Sequence, residues 1–299
     1  MKKIIALAVA TAFVAPVMAA DITISGAMEM TFASENNGTA TATTFQEDSS
    51  FSIKATEELA NGVTVSADIS IDGNGDDDGG SSLTLAGAFG SVDIGETSGA
   101  IDAIDDKTDL FYFVDSGTGL TSTDAALLWT LPSVVDGLTL RASFSPDNGD
   151  DASISKQELA ASGTAATNQL GSITDNVTGV SFTYKAGPVN VNYGVESVGT
   201  NDNSFVGING SFNGLFIAAE AAEIKDGKSQ MGVAASYTMG DITLKVANQV
   251  VETAAGADES DMTAYGVSYS MGALTLFAEA AKEDFSDDEG TYIGASFAF

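Results

Sequence analysis

Short turns recur along this chain, and each one joins two runs in which apolar and polar residues alternate. Seven strings have this form: EELANGVTVS, AGAFGSVDIG, LPSVVDGLTL, YKAGPVNVNY, GSFNGLFIAA, SYTMGDITLK and SYSMGALTLF. With a first run, ITISGAMEMTFA, and a last one, TYIGASFAF, they predict about sixteen strands. Alternation with a period of two residues indicates strands that have one apolar face and one polar face.

The connections between these runs alternate between short turns and longer polar segments. An even number of strands with this rhythm is the layout of a closed antiparallel β-barrel in an outer membrane. The regular runs are about 9–11 residues long, which is the length that a tilted strand needs to cross a bilayer. A soluble β-sandwich would also alternate, but its Greek-key connections do not keep such a rhythm. We therefore predict an all-β fold, a transmembrane barrel of about sixteen strands around a water-filled lumen.

The two ends of the chain bound this barrel. Lys2 and Lys3, an apolar stretch to about Val17 and small residues before Asp21 predict a signal peptide over residues 1–20. Residues 21–299 are then a single barrel domain. Since hydrocarbon does not allow an open sheet edge, the first strand must pair with the last. We expect the residues around Ile24 to lie beside those around Ala295.

Charge and composition exclude several functions. Without the signal peptide the chain has 9 basic and 42 acidic side chains, a net charge of −33. Such a charge repels nucleic acid and favours cations, although much of it lies in loops where it also serves solubility. The chain has no cysteine and no histidine. This excludes a histidine base, a serine–histidine triad and most zinc sites. An enzyme would have to use carboxylates alone, and we predict no catalytic residues.

The third long segment, from Ser98 to Asp124, differs from the other loops because it holds LFYF between acidic residues. Four bulky apolar residues in a row need a surface to pack on, so we expect this loop to fold back into the barrel. Its acids would then narrow the lumen and make it negative. They are Asp102, Asp105, Asp106, Asp109 and Asp115.

Basic side chains in the strands should face the same lumen. A charge that faces lipid costs roughly 2–4 kcal/mol at the bilayer midplane, so charges in mid-strand must face water. By the alternation of their strands, the predicted basic wall consists of Lys54, Arg141, Lys185 and Lys245. These residues either provide one side of a transverse field, an interpretation we favour for Lys54 and Arg141, or are simply solvated wall residues.

Two other segments carry weaker signals. The acidic stretch from Asp72 to Gly79 has the local spacing of a calcium loop, but Leu85 stands where the bidentate glutamate is expected. We therefore predict no cofactor and expect at most weak binding of calcium by the acidic loops. Further on, Ser155 and Glu158 form a capping box, which predicts a short helix.

The string LTLAGAFGSVDIGETSGAIDAI resembles the fourth strand and the start of the constriction loop in Gram-negative general diffusion porins, especially their acidic alpha-proteobacterial branch. The opening ADITISGAMEMTF and the closing YIGASFAF are also similar to that family. The resemblance implies a trimer of sixteen-stranded barrels that allow passive diffusion of small hydrophilic solutes. It also implies a channel narrowed by the third external loop, with acids on that loop facing basic residues on the opposite wall. Some members of this branch bind calcium at the constriction.

By position, Asp102, Asp105, Asp106 and Asp109 match the acidic loop of that family. Lys54 lies on the second strand, where the family often has arginines. This chain departs from the family in having a single arginine. A thin basic wall predicts a weakly cation-preferring channel, whose partners would be outer-membrane lipid and lipopolysaccharide, two further copies of the chain, and small hydrophilic solutes and cations. A solute-specific channel and a structural or adhesive barrel without an open pore are the alternatives.

Overall fold

A computed structural model describes residues 20–72, 80–117, 125–146, 155–156, 168–169, 176–198, 201–225, 229–252, 259–284 and 288–299. They form a closed barrel of sixteen antiparallel strands, as the sequence predicts. The predicted signal peptide, apart from residue 20, and residues 73–79 of the calcium-like stretch lie outside the described residues. Among the described residues, no helix has the length and apolar character needed to span a bilayer.

The barrel strands follow one another in chain order, each beside its neighbours in sequence. Their bounds are β1 (Asp21–Asn36), β2 (Thr41–Glu58), β3 (Thr64–Asp72), β4 (Ser81–Gly87), β5 (Gly90–Thr97), β6 (Ala125–Thr130), β7 (Leu138–Ser145), β8 (Val177–Ala186), β9 (Val189–Val198), β10 (Asn201–Phe212), β11 (Leu215–Ile224), β12 (Ser229–Met239), β13 (Ile242–Glu252), β14 (Glu259–Met271), β15 (Leu274–Glu283) and β16 (Glu289–Ala298).

Short turns lie at one end of the barrel and the longer connections at the other. Two of the connections expected to be long are short, because the strands on either side of them extend further than predicted. The first and second strands extend to within four residues of each other, and β9 and β10 to within two. These strands continue into polar sequence. A separate two-residue pairing joins Ser155–Lys156 to Asn168–Gln169. The predicted helix is therefore wrong at residues 155–156, whose backbone groups pair across strands, and the rest of that prediction lies outside the described residues.

Closure of the barrel pairs β1 with β16, as predicted, but in a different register. Ala295 lies opposite Met30 rather than near Ile24. The backbone of the last residue, Phe299, exchanges two hydrogen bonds of 3.0 Å with Gly26. The last strand therefore stops opposite Gly26, and residues 21–25 of β1 extend past this point, where the described residues that pair with them all belong to β2.

The two faces of the wall differ as the alternation predicts. Large apolar side chains point outward, for example Ile24 (56% exposed), Val206 (51%) and Phe297 (46%). Inward positions hold polar side chains, and several of these are buried, among them Glu220, Gln249 and Glu279. Because lipid solvates the outer face, exposed apolar side chains of this kind stabilise a barrel in its membrane.

A charge on the outer face of a strand should therefore be destabilising. Ile69 lies midway along β3 on the outer face, and its neighbour Ser70 is inward and half-buried. We expect Ile69→Lys to lower the free energy of unfolding in lipid vesicles by about 2–4 kcal/mol. The matched variant Ser70→Lys places the same charge toward the lumen and should cost much less. Equal losses in denaturant titrations of the two variants would contradict the assignment of the faces.

Candidate functional site

The segment between β5 and β6 lies against the inner wall of the barrel over its described residues, 98–117. Its first half is a hydrogen-bonded turn in which Ile101 and Ile104 are buried. These two side chains pack with inward residues of three strands, namely Val177, Phe205 and Ala222. The wall makes room for them at Gly194, where a Cβ atom would lie 2.9 Å from Ile101 and 3.3 Å from Ile104.

The second half of the segment contains the LFYF string, whose rings pack on the wall as the sequence predicts. The Phe113 ring lies 4.4 Å from that of Tyr292, and the Tyr112 ring stacks on Phe277 at 4.8 Å, measured between centroids. Val114 is buried in the same region. The wall residues of this cluster are Ala33, Met262, Ala264, Ala281 and Tyr292. Burial of this apolar surface fixes the loop inside the barrel.

Glu220 on β11 binds the loop backbone at its first anchor. Its carboxylate accepts hydrogen bonds from the backbone N–H groups of Lys107 and Thr108, both at 3.0 Å. The hydroxyl of Thr108 donates to the same carboxylate at 3.1 Å. Hydrogen bonds to a charged acceptor are stronger than those between neutral groups, so Glu220 holds the acidic turn at a defined place.

Glu279 on β15 makes a second anchor of the same kind. The backbone N–H groups of Tyr112, Phe113 and Val114 donate to its carboxylate at 2.8, 3.0 and 3.4 Å. Amide side chains hold the end of the described segment, because Gln230 and Gln249 both donate to the carbonyl of Gly117. At its beginning, the N–H of Ala100 donates to the Ser143 hydroxyl at 2.9 Å.

The five predicted acids of this loop differ in exposure. Asp106 and Asp109 are exposed, and Asp102 and Asp115 are half-buried. Asp105 is 1% exposed, and within the described part of the chain neither of its carboxylate oxygens has a hydrogen-bond partner. The expectation that all five line the lumen is therefore corrected for Asp105. Its neighbour Asp106 is exposed and has a backbone φ of 59°, in the left-handed region.

Proximity and burial raise the pKa values of these acids. Burial, with repulsion from Asp106, Asp102 and Glu220, raises the pKa of Asp105 to about 9. Solvent reaches the side chains of Asp106 and Asp109, but the protein around them removes much of their hydration; this desolvation, with repulsion from neighbouring acids, raises the pKa of each to about 6. The pKa of Asp115 is also raised, mainly by burial. At neutral pH, Asp105 thus holds a proton while Asp106 and Asp109 are mostly ionised.

Three of the four predicted basic residues lie on wall that the described part of the loop leaves uncovered. Arg141 on β7 is half-buried and donates to the Thr183 hydroxyl at 3.2 Å. It lies one inward position from Ser143, which binds the loop. Lys54 on β2 is exposed, opposite Asp68 in the neighbouring strand. Lys185 lies one residue from the end of β8, at the short-turn mouth of the barrel.

Lys245 does not belong to this wall. The Lys245 side chain points inward, as the alternation of its strand predicts, but it is only 9% exposed and lies beneath the loop. The ammonium lies 3.7 Å from the Glu279 carboxylate and 4.1 Å from the centroid of the Tyr112 ring. The prediction that Lys245 faces water is wrong. Alternation indicates that a side chain points inward, but it does not indicate whether a loop covers that side chain.

The residues that anchor the loop were not singled out from the sequence. Glu220 stands between Ala218 and Ala222, and Glu279 stands between Phe277 and Ala281, on the inward faces of their strands. A carboxylate among small or apolar inward residues is the signal that could have identified both. Lys107, whose Nζ donates to the Asp105 carbonyl at 2.6 Å, was also missed.

A closed sixteen-stranded barrel with an apolar outer face and an inward-folded acidic loop is a channel of an outer membrane. The family model described as Gram-negative porin matches residues 6–299, so the chain belongs to that family. It is an outer-membrane porin, which lets small hydrophilic solutes diffuse passively through its lumen.

Solved structures agree with this assignment at the level of the fold. An anion-selective porin from Comamonas acidovorans superposes with a TM-score of 0.69 and 15% identity, covering 94% of this chain and 100% of that one. A loop-deletion variant of OmpT, an outer membrane protein of Vibrio cholerae, has a TM-score of 0.71 and 14% identity over the same shares. A triple mutant of the Rhodopseudomonas blastica porin has a TM-score of 0.67 and 16% identity over 93% and 100%. Sequence comparison finds no match among curated proteins.

Proposed function

We propose that this porin is weakly cation-preferring and that its selectivity arises at the inward-folded loop. The observation that carries the proposal is the exposure of Asp106 and Asp109, which flank the residues that Glu220 binds, Lys107 and Thr108, in the inward-folded loop. A permeating cation is attracted to these charges, and the lumen concentrates the field because protein replaces water on most sides. Arg141 and Lys54 oppose that field only in part.

The test is the reversal potential of single channels in a planar bilayer under a potassium chloride gradient. We expect a potential whose sign reports K⁺ entering more readily than Cl⁻, with a modest permeability ratio. A preference for chloride, as in the name of the Comamonas porin, would overturn the proposal without affecting the family assignment. A channel that binds one solute class would show conductance blocked by that solute at low concentration.

We also propose that the protein works as a homotrimer in contact with outer-membrane lipid and lipopolysaccharide. The membership of the porin family supports this assembly, and the apolar outer face offers a surface for both lipid and a neighbouring copy. Mass measurement of the protein in a mild detergent should give three chains per particle. A monomer under conditions that keep the barrel folded would contradict the assembly.

Calcium binds weakly at the loop in this proposal. One carboxylate oxygen from each of Asp102, Asp105 and Asp106 lies within 4.8 Å of the others, and hard oxygen ligands suit Ca²⁺. Because Asp105 holds a proton at neutral pH, calcium must displace it, so binding should be weak and should strengthen as the pH rises. We expect millimolar Ca²⁺ to raise the melting temperature of the barrel more at pH 8.5 than at pH 6, and the variant Asp102→Asn/Asp106→Asn to lose the difference.

A further inference from the structure

We propose that Glu279 is a positioning residue that sets the width of the constriction, and that Lys245 is its counter-ion rather than part of the selectivity field. The inference deepens the proposed function, because it assumes that the inward-folded loop narrows the conducting path. It concerns the second half of the loop, residues 110–117, where one side chain of the wall binds three consecutive backbone N–H groups.

Three convergent donors call for an acceptor with two charged oxygens. One oxygen of Glu279 accepts from Tyr112 and the other from Phe113 and Val114. A neutral glutamine would present an NH₂ group, itself a donor, to at least one of these N–H groups, which would leave a buried donor without an acceptor. The position therefore requires a carboxylate.

Lys245 makes that buried carboxylate tolerable. Asp109 of the loop and Glu29 of β1 carry further negative charge in the same region, so an uncompensated Glu279 would add to it. The ammonium of Lys245 lies 3.7 Å from Glu279 and also 4.1 Å from the Tyr112 ring centroid, on the residue whose N–H Glu279 binds. One ion pair thus contacts both the backbone and the side chain of Tyr112. Because the charges of Glu279 and Lys245 offset each other, this ion pair contributes little to the electric field that an ion meets in the lumen.

The two halves of the loop should respond separately. Residues 100–108 have their own anchor in Glu220, Ser143 and the packing of Ile101 and Ile104. Losing Glu279 should therefore loosen residues 110–114, because Gln230 and Gln249 still hold Gly117 and Glu220 still holds the backbone next to Asp106. This separates the role of Glu279 in channel width from the role of Asp106 in ion preference.

Glu279→Gln tests the inference through single-channel recordings and exclusion of neutral polymers. We expect spontaneous closures to become roughly tenfold more frequent, the ratio that corresponds to losing one hydrogen bond to a charged group. The polymer size that enters the channel should change, while cation preference remains. The matched control is Glu283→Gln. Glu283 lies on the same face of the same strand, and its carboxylate accepts a hydrogen bond from the Ser260 hydroxyl. This variant should behave as the wild type. Asp106→Asn should do the reverse, lowering cation preference without changing the polymer cut-off.

A second variant and a second measurement decide the matter if Glu279→Gln does not fold. Lys245→Gln should also raise the closure frequency, whereas a lysine of the basic wall would alter ion preference alone. Because the chain has no cysteine, a single spin label at Leu110→Cys reports the mobility of the loop without any current. Wild-type closures together with an immobile label in the Lys245→Gln variant would overturn the inference. A preference for chloride in the wild type would instead overturn the proposed function and leave the closure and label results standing.

Discussion

Replacing Asp106 and Asp109 together by asparagine should remove most of the cation preference at pH 7.5 and bring the permeability ratio of K⁺ to Cl⁻ close to unity. Both carboxylates are exposed and mostly ionised at that pH, since the pKa of each is about 6. A unit charge about 4 Å from an ion in a water-like medium is worth about 1 kcal/mol, or about fivefold in permeability, and screening by salt lowers this figure, so two such charges account for a modest preference. Asparagine suits the backbone at Asp106, where φ is 59°, because asparagine tolerates the left-handed region.

The control for this prediction is Asp105→Asn, measured in the same salt gradient. Asp105 is buried and holds a proton at pH 7.5 because its pKa is about 9. Removing its carboxyl group therefore removes no charge from the lumen, and the reversal potential should stay at its wild-type value. If Asp105→Asn lowered cation preference as much as the double variant does, our assignment of the exposed and buried acids would be wrong.

Lowering the pH from 7.5 to 5 should abolish most of the cation preference of the wild-type channel. The pKa values of Asp106 and Asp109 are raised to about 6, chiefly by desolvation within the barrel, so both groups gain a proton as the pH falls through 6. The measurement is the reversal potential at steps of pH, with a chelator present so that calcium does not bind. A midpoint near pH 4, the range of ordinary carboxyl groups, would contradict the role of these two residues. The double variant Asp106→Asn/Asp109→Asn should show a flat profile over the same range.

The same raised pKa values predict that acid weakens ion selectivity but stabilises the loop in its place inside the barrel. Each carboxyl has a pKa above its ordinary value of 3.8 when the loop is seated. A raised pKa means that the seated loop binds protons more readily than a displaced one, so its stability is greatest below pH 4 and falls as the pH rises from 4 to about 6. For Asp105 the loss continues to about pH 9. The channel should thus be less selective but more firmly constricted in acid.

Several features of the fold could be predicted because they depend on local sequence. Alternation over a strand assigns each side chain to the lipid or to the lumen, and Ile24, Val206 and Phe297 are exposed on the outer face as their alternation requires. The turn strings give the number of strands, and the absence of an allowed edge in lipid gives closure. The apolar LFYF string likewise predicted a loop that packs on the wall, which its rings do against Phe277 and Tyr292.

The register of closure could not be predicted in the same way. Pairing Ala295 with Met30 instead of Ile24 is a shift of six residues along β1. A shift by an even number keeps every side chain on its own face, so the apolar pattern does not distinguish the two alignments. The observed alignment also pairs the backbone of Phe299 with that of Gly26, a contact between residues far apart in sequence that alternation does not specify.

The sequence alone determined the barrel, the inward direction of the charged strand residues and the acidic character of the third loop, because each follows from residues close together in the chain. Only the tertiary structure decided which of those charges meet water. The contacts that cover Asp105 and Lys245 come from loop and wall residues far apart in sequence, as far as the 167 positions between Tyr112 and Glu279. Alternation specifies the face of a strand, whereas burial depends on what the rest of the chain lays over that face.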